Sequence, residues 1–134
     1  MNNLAGTIVN IQSSSEMSII ELAVNGDVFS AMVLEAPFSA SYLKVGNRVE
    51  IIFKETEVAI GKGLSGLVSI RNRFKGRIQS IEEHPLLTTI VLDYKGGAIA
   101  SIISTKSSHR LNLKKTDEVE WLVKTNEVSL CPTF

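Results

Sequence analysis

The chain is written twice. Displacing the 134-residue sequence by 70 positions aligns its two halves without a gap. Asn2 then falls on Asn72, Gly6 on Gly76, Ile8 on Ile78, Ile11 on Ile81, Ile20 on Ile90, Leu22 on Leu92 and Gly26 on Gly96. The match resumes with Leu43-Lys44 over Leu113-Lys114 and Val49-Glu50 over Val119-Glu120, and closes with Lys54 over Lys124 and Glu57-Val58 over Glu127-Val128. One offset kept through both apolar and loop-like stretches marks a tandem duplication. The fold must therefore be one that roughly 65 residues can complete.

Each copy reads as a run of short strands. In copy one, residues 4–12, 17–24 and 28–34 are apolar and β-branched. Asn25-Gly26-Asp27 is a tight-turn signal between the second and third runs, because Asn-Gly readily takes positive φ. Residues 48–53 and 57–60 add a fourth strand and a short closing one. Copy two repeats the order at 75–81, 88–94, the turn Lys95-Gly96-Gly97, 98–104, 118–124 and 127–130. Stretches compatible with one or two helical turns lie at 39–44 and 107–113. The pattern predicts an all-β chain of two tandem OB-like five-stranded β-barrels, each with a short helix between strands 3 and 4. By the repeat, the first barrel spans 1–62, a linker 63–68, and the second barrel 69–134.

The connection contains Gly61, Gly63 and Gly66 in a GxGxxG pattern. That motif holds a dinucleotide only as a strand-turn-helix within a βαβ unit. Here a β-like run follows it, no crossover helix does, and no Gly-Lys-Ser/Thr completes a phosphate loop, so the segment reads as a flexible linker.

Fourteen Lys+Arg balance fourteen Asp+Glu, so the chain has no global positive field to hold nucleic acid. Only 6% of residues are aromatic, which leaves few platforms for stacking bases. No apolar run approaches the roughly 18 residues of a membrane span, and no signal segment opens the chain. A single cysteine, Cys131 in a tail-like context, excludes an internal disulfide and suits a reducing cytoplasm. His84 and His109 stand singly, and Glu82-Glu83 would face opposite ways on a strand, so neither a metal cluster nor a catalytic pair is expected. Barrels of this size bury only about 60% of their chain surface, so two sharing one chain, and a homo-oligomer beyond that, would supply the missing burial.

The copies differ where chemistry could sit. Ser69-Ile70-Arg71-Asn72 precedes the first strand of copy two, whereas copy one begins with Met1-Asn2. After the third strand, copy two carries Ser104-Thr105-Lys106-Ser107-Ser108 where copy one has Leu34-Glu35-Ala36-Pro37. Lys54 and Lys124 occur in both copies. Arg and Lys for charge, hydroxyls for hydrogen bonds and helix-start N–H groups, with Ser107-Ser108 opening the short helix, are the inventory for a small oxyanion. The same residues also read as a capping serine beside solvated basic side chains, and composition leaves both readings open.

On these residues the chain resembles the Mop (TOBE-type) molybdate-binding domain in its tandem, di-Mop form. The family opens each unit with a Ser-Ala-Arg-Asn-like stretch and a Gly that starts the first strand, as 69–76 do here. A Gly-containing hairpin follows, as Gly96-Gly97 does. Next come a Thr and, three positions later, a Ser leading into Leu-x-Leu. Ser104, Ser107 and Leu111-Asn112-Leu113 keep that spacing, with Ser in place of Thr. A Lys-Ala-Thr-Glu-Val-like strand ends each unit, and both 54–58 and 124–128 are similar to it.

The resemblance implies binding without catalysis and without an organic cofactor. Molybdate or tungstate would be held between units of a cytoplasmic homo-oligomer, often a trimer. Carried over, Ser69, Arg71 and the backbone of Ile70 and Asn72 would face Ser104, Ser107 and Lys124 of a neighbouring unit, with Lys54, Thr105, Ser108 and Thr125 as secondary candidates. Copy one lacks the Ser-x-Arg start, and Glu35 and Glu55 would repel an anion there, so fewer sites than in a symmetric di-Mop protein are expected. Thr116 replaces a Gly usual in the family. The resemblance implies storage or homeostasis of molybdenum, or alternatively a regulatory module of a molybdate-responsive transporter or transcription system acting through partner chains.

Overall fold

The computed structural model describes residues 1–133. Copy one contributes β1 (Asn2–Ser14), β2 (Met17–Val24), β3 (Asp27–Val33) and β4 (Arg48–Phe53), then a 3₁₀ turn at Glu55–Glu57 and the short β5 (Ala59–Gly61). Copy two contributes β6 (Asn72–Glu83), β7 (Leu87–Tyr94), β8 (Gly97–Ser104), α1 (Thr105–Arg110) and β9 (Glu118–Val123), then a 3₁₀ turn at Thr125–Glu127 and β10 (Ser129–Pro132). The molecule is mostly β and OB-like, as the strand pattern predicts. Among the described residues no helix is long and apolar enough to cross a membrane.

Local chemistry sets the two hairpins. Asn25 and Gly26 take φ of 49° and 89°, and Lys95 and Gly96 take 50° and 88°. Two successive positive φ values match the right-handed twist of the flanking strands. Each long first strand also carries an irregularity, where the register with its hairpin partner shifts between Ile8 and Asn10 and between Ile78 and Ser80. Such bulges bend a strand and increase its twist, which lets one strand pair with neighbours on both sides of a curled sheet.

The bulges are tied to the loop ahead of the fourth strand. Ile8 N donates to Asn47 O and Gly46 N to Ile8 O, at 2.9 and 2.8 Å. In copy two, Ile78 N donates to Asp117 O and Thr116 N to Ile78 O, again at 2.9 and 2.8 Å. Gly46 holds φ of 96°, and Thr116 takes φ of 77° at the same place. A β-branched residue there carries strain of about 1–3 kcal/mol, against which Gly costs about 0.5–1 kcal/mol of extra backbone entropy. Thr116→Gly is therefore expected to stabilise the protein by about 1 kcal/mol in urea denaturation; an unchanged or lowered midpoint would show that no strain is stored there.

The sheets do not follow the sequence repeat. One has strand order β10-β4-β1-β2-β3 and the other β5-β9-β6-β7-β8. Ile60 on β5 faces Trp121 on β9, and Leu130 on β10 faces Ile51 on β4. Each sheet thus takes its fifth strand from the other copy. One compact unit holds Lys54–Val123 with Met1, and the other holds Asn2–Phe53 with the segment from Lys124 onward. The boundaries 1–62, 63–68 and 69–134 therefore do not coincide with the compact units. The duplication makes such an exchange feasible, because the two closing segments share the Glu-Val pair that leads into β5 and β10.

Each unit has its own core. In the first-copy unit Ile8, Ile20, Leu22, Phe29, Ile51 and Phe53 are fully buried, with Phe29 and Phe53 stacked at 5.8 Å. In the other, Phe74, Tyr94 and Trp121 form a buried aromatic cluster, with Trp121 at 5.1 Å from each of its two partners.

The connections between third and fourth strands also depart from expectation. Residues 39–44 form turns rather than a helix, with Ala36 O accepting from the N–H groups of Ser39 and Ala40. Ser39 Oγ also contacts Ala36 N and O, offering this backbone an alternative to helical bonds, and Pro37 has no N–H to give. In copy two the helix covers Thr105–Arg110 rather than 107–113, because Ser104 caps it by accepting from Ser107 N. Cys131, expected in a tail, lies exposed on β10 opposite Glu50.

Candidate functional site

Within the unit of residues 54–123, two segments carry the candidate groups. The first leads into β6. Ser69 and Arg71 are exposed, Ile70 is half-buried, and Asn72 is fully buried as the first residue of β6, opposite Val123. The alternation that buries Asn72 and Phe74 turns Arg73 and Lys75 to the other face.

The second segment is the end of β8 and the start of α1. Ser104 Oγ accepts from Ser107 N at 3.1 Å and donates to Ser107 Oγ at 2.9 Å. A hydroxyl has one proton, so Ser104 spends its own on Ser107, and the Ser107 proton remains to be donated outward. Thr105 and Ser108 are buried. Thr105 Oγ1 donates to His84 O at 2.6 Å and so accepts from Thr88 Oγ1 at 2.7 Å. Thr105 thereby serves the fold.

The lysines are dealt out by the strand exchange. Lys54 is exposed at the start of the 3₁₀ turn that packs on β8, the strand ending in Ser104. Lys124 and Thr125 belong to the other unit, where their 3₁₀ turn packs on β3. The unit that holds Ser69, Arg71, Ser104 and Ser107 therefore contains Lys54, which the sequence placed second to Lys124.

In the first-copy unit the corresponding corner has opposite chemistry. The Tyr42 hydroxyl donates to Glu35 Oε1 at 2.6 Å beside a groove of about 330 Å³ that Leu34, Met32 and Leu130 also line. Burial, and then the bond to Glu35, push the Tyr42 phenol above its ordinary range. The phenol proton is committed to a carboxylate, so this corner offers an anion little but repulsion. Glu55, the other acidic candidate, sits below the ordinary carboxylate range because the N-terminal ammonium bonds it.

The connecting segment, read as a flexible linker, is strapped to its unit. Lys62 Nζ donates to Asn112 O at 2.8 Å and Asp117 Oδ2 at 3.0 Å. Arg73 donates to both carboxylate oxygens of Glu120, at 2.5 and 3.1 Å, and to Gly66 O at 3.0 Å. These bonds hold the Asp117 and Glu120 carboxyls below, and the Arg73 guanidinium above, their usual ranges. Sequence inspection missed both Arg73 and the Tyr42–Glu35 pair. The differences Arg73/Asn3 and Glu35/Thr105 between aligned copies were the available signals. Glu83 bonds His109 and Glu82 bonds His84 on the surface, and among the described residues no group of three or more His, Cys, Asp or Glu could hold a metal ion.

Curled five-stranded antiparallel sheets define an OB-like fold. Residues 68–130 match the model of the TOBE domain. The chain is 29% identical over 107 residues to the molybdenum-pterin-binding protein MopB of Rhodobacter capsulatus, covering 78% of this chain and 40% of MopB. It thus spans well under half the length of that curated relative. Its fold matches that of the cytoplasmic molybdate-binding protein ModG, crystallised with molybdate bound, at a TM-score of 0.90 and 23% identity over 98% of this chain and 96% of ModG. MopII from Clostridium pasteurianum is 32% identical over 44% of this chain and 90% of its own, with a TM-score of 0.43. The second copy, residues 68–130, is thus a TOBE-type domain, and the chain as a whole is similar to the Mop proteins.

Proposed function

We propose that this chain binds a tetrahedral, fully deprotonated oxyanion, molybdate or tungstate, and serves molybdenum storage or homeostasis in the cytoplasm without catalysing a reaction. The observation that carries this is that the second copy alone holds both the exposed Ser69–Arg71 approach to β6 and the Ser104–Ser107 pair. The register sets them at opposite ends of β6, beside Asn72 and beyond Glu83, so a neighbouring chain would bring one segment to the other. Arg71 and Lys54 would offset the dianion's charge, and Ser69, Ser104, Ser107 and the backbone N–H groups of Ile70 and Asn72 would donate to its oxygens. Lys124 is kept as a residue that a second chain would bring in a homo-oligomer, a trimer by family resemblance. Each curled sheet is read as an OB-type barrel closed by the other copy's last strand.

A donor-only pocket selects by protonation. Molybdate and tungstate carry no proton near neutral pH, whereas hydrogen phosphate keeps one that would need an acceptor. Sulfate is also proton-free and must be excluded by size. The Glu35–Tyr42 corner supports one kind of site per chain, built on the second copy. Isothermal titration with the four anions tests the proposal: saturable binding of molybdate and tungstate with weak or absent phosphate binding supports it. Equal binding of all four, or of none, overturns it.

A further inference from the structure

We infer that Arg73 is a positioning residue for the oxyanion-binding segment, clamping the connecting segment 62–68 so that Ser69–Arg71 are presented in one conformation. The inference rests on the oxyanion reading above. Segment 67–71 has no regular structure and carries the two exposed candidates, Ser69 and Arg71. Left to itself, such a stretch would have to be ordered by the ligand, at a cost in affinity.

Both ends of the stretch are pinned. At one end Asn72 is buried and joined to β9 opposite Val123. At the other, Gly66 O accepts from Arg73 Nη1 at 3.0 Å, while the rest of the same guanidinium grips Glu120 with two bonds. A planar guanidinium held by a carboxylate on one side keeps its remaining N–H groups in fixed directions, which a flexible ammonium does not. Gly66 reaches this position with φ of 77°, a conformation open to Gly and strained for other residues. Upstream, Lys62 fastens the strap again to Asn112 and Asp117.

Comparison of the copies separates clamp from scaffold. Asn3 aligns with Arg73, and its Nδ2 bonds Glu50 at 3.3 Å, the counterpart of the Arg73–Glu120 pair. Joining the two strands therefore needs no arginine. The third contact, to Gly66 O, is what Arg73 adds, in the copy that has the Ser-x-Arg segment.

The test compares Arg73→Ala, Glu120→Ala, the double variant and Asn3→Ala. Three quantities are read: molybdate affinity by titration, thermal midpoint without ligand, and amide hydrogen exchange peptide by peptide. Arg73→Ala is expected to weaken molybdate binding about tenfold and to speed exchange selectively in 66–71, with protection in β6 and β9 retained. Glu120→Ala should reproduce most of that loss, and the double variant should add little, because both break one clamp. Asn3→Ala should leave affinity unchanged. Arg73→Ala with wild-type affinity, or with exchange raised throughout β6 and β9 instead, overturns the positioning role while the oxyanion reading stands. Wild-type protein that takes up no anion overturns that reading, and this role with it.

Discussion

Val128→Asp is expected to unfold the sheet of the first copy, although Val128 lies in the sequence of the second. Val128 is 3% exposed in the unit built from β1 to β4 and β10. Its counterpart Val58 is 2% exposed in the unit of β5 to β9, where its carbonyl also accepts from buried Ser101 Oγ at 2.7 Å. An unpaired carboxylate at either position must be neutralised or hydrated, at a cost of several kcal/mol, comparable to much of a small domain's stability. Hydrogen exchange would locate the damage. Val128→Asp should strip protection from β1–β4 while β6–β9 keep more of theirs, and Val58→Asp should do the reverse. If each substitution instead opened the sheet of its own repeat, the strand exchange would be wrong.

The second large effect concerns binding. Arg71→Ala is expected to weaken molybdate affinity by about 1.5–3 kcal/mol, the scale of a hydrogen bond to a charged group. Lys54→Ala should cost a similar amount, because Lys54 shares a unit with Ser69, Ser104 and Ser107. Titration of the variants against wild type reads both effects, with the thermal midpoint as control for folding. Unchanged affinity in both would remove these residues from the site. Loss in Lys124→Ala, but not in Lys54→Ala, would show that the ammonium comes from the other lysine.

Much of the fold was legible because it is enforced locally and stated twice. Asn25-Gly26 and Lys95-Gly96 announce their hairpins through backbone conformations few residues tolerate, and the structure holds all four at positive φ. Alternation in β2 and β7 likewise follows directly from side chains that must face a core. The strand exchange was not legible, since two closing segments that share Lys-x-x-Glu-Val give pattern reasoning little with which to tell self from partner. Its consequence for the candidate site is direct: with the closing strands assigned to their own repeats, Lys124 falls to the second copy's unit, and the exchange puts Lys54 there. Helix limits were missed for a smaller reason. Ser104 supplies the cap three residues before Ser107, where sequence inspection began the helix, and Pro37 with the Ser39 side chain diverts the equivalent stretch of copy one into turns.

Long-range side-chain pairs were likewise hidden. Nothing near Arg73 in sequence points to Glu120 or Gly66, and nothing near Glu35 marks Tyr42 as its donor. On the proposed reading these two pairings would set which half of the molecule receives an anion, one by ordering a donor segment and the other by committing a phenol to a carboxylate.

Diffraction from crystals soaked in tungstate tests the central claim most directly, because the heavy atom marks its own position. A tetrahedral oxyanion is expected within hydrogen-bond distance of Ser69, Arg71 or the Ser104–Ser107 pair, with no such density beside Glu35 and Tyr42. Tungsten found only at the Glu35–Tyr42 corner, or no tungsten at all in fully soaked crystals, would contradict it.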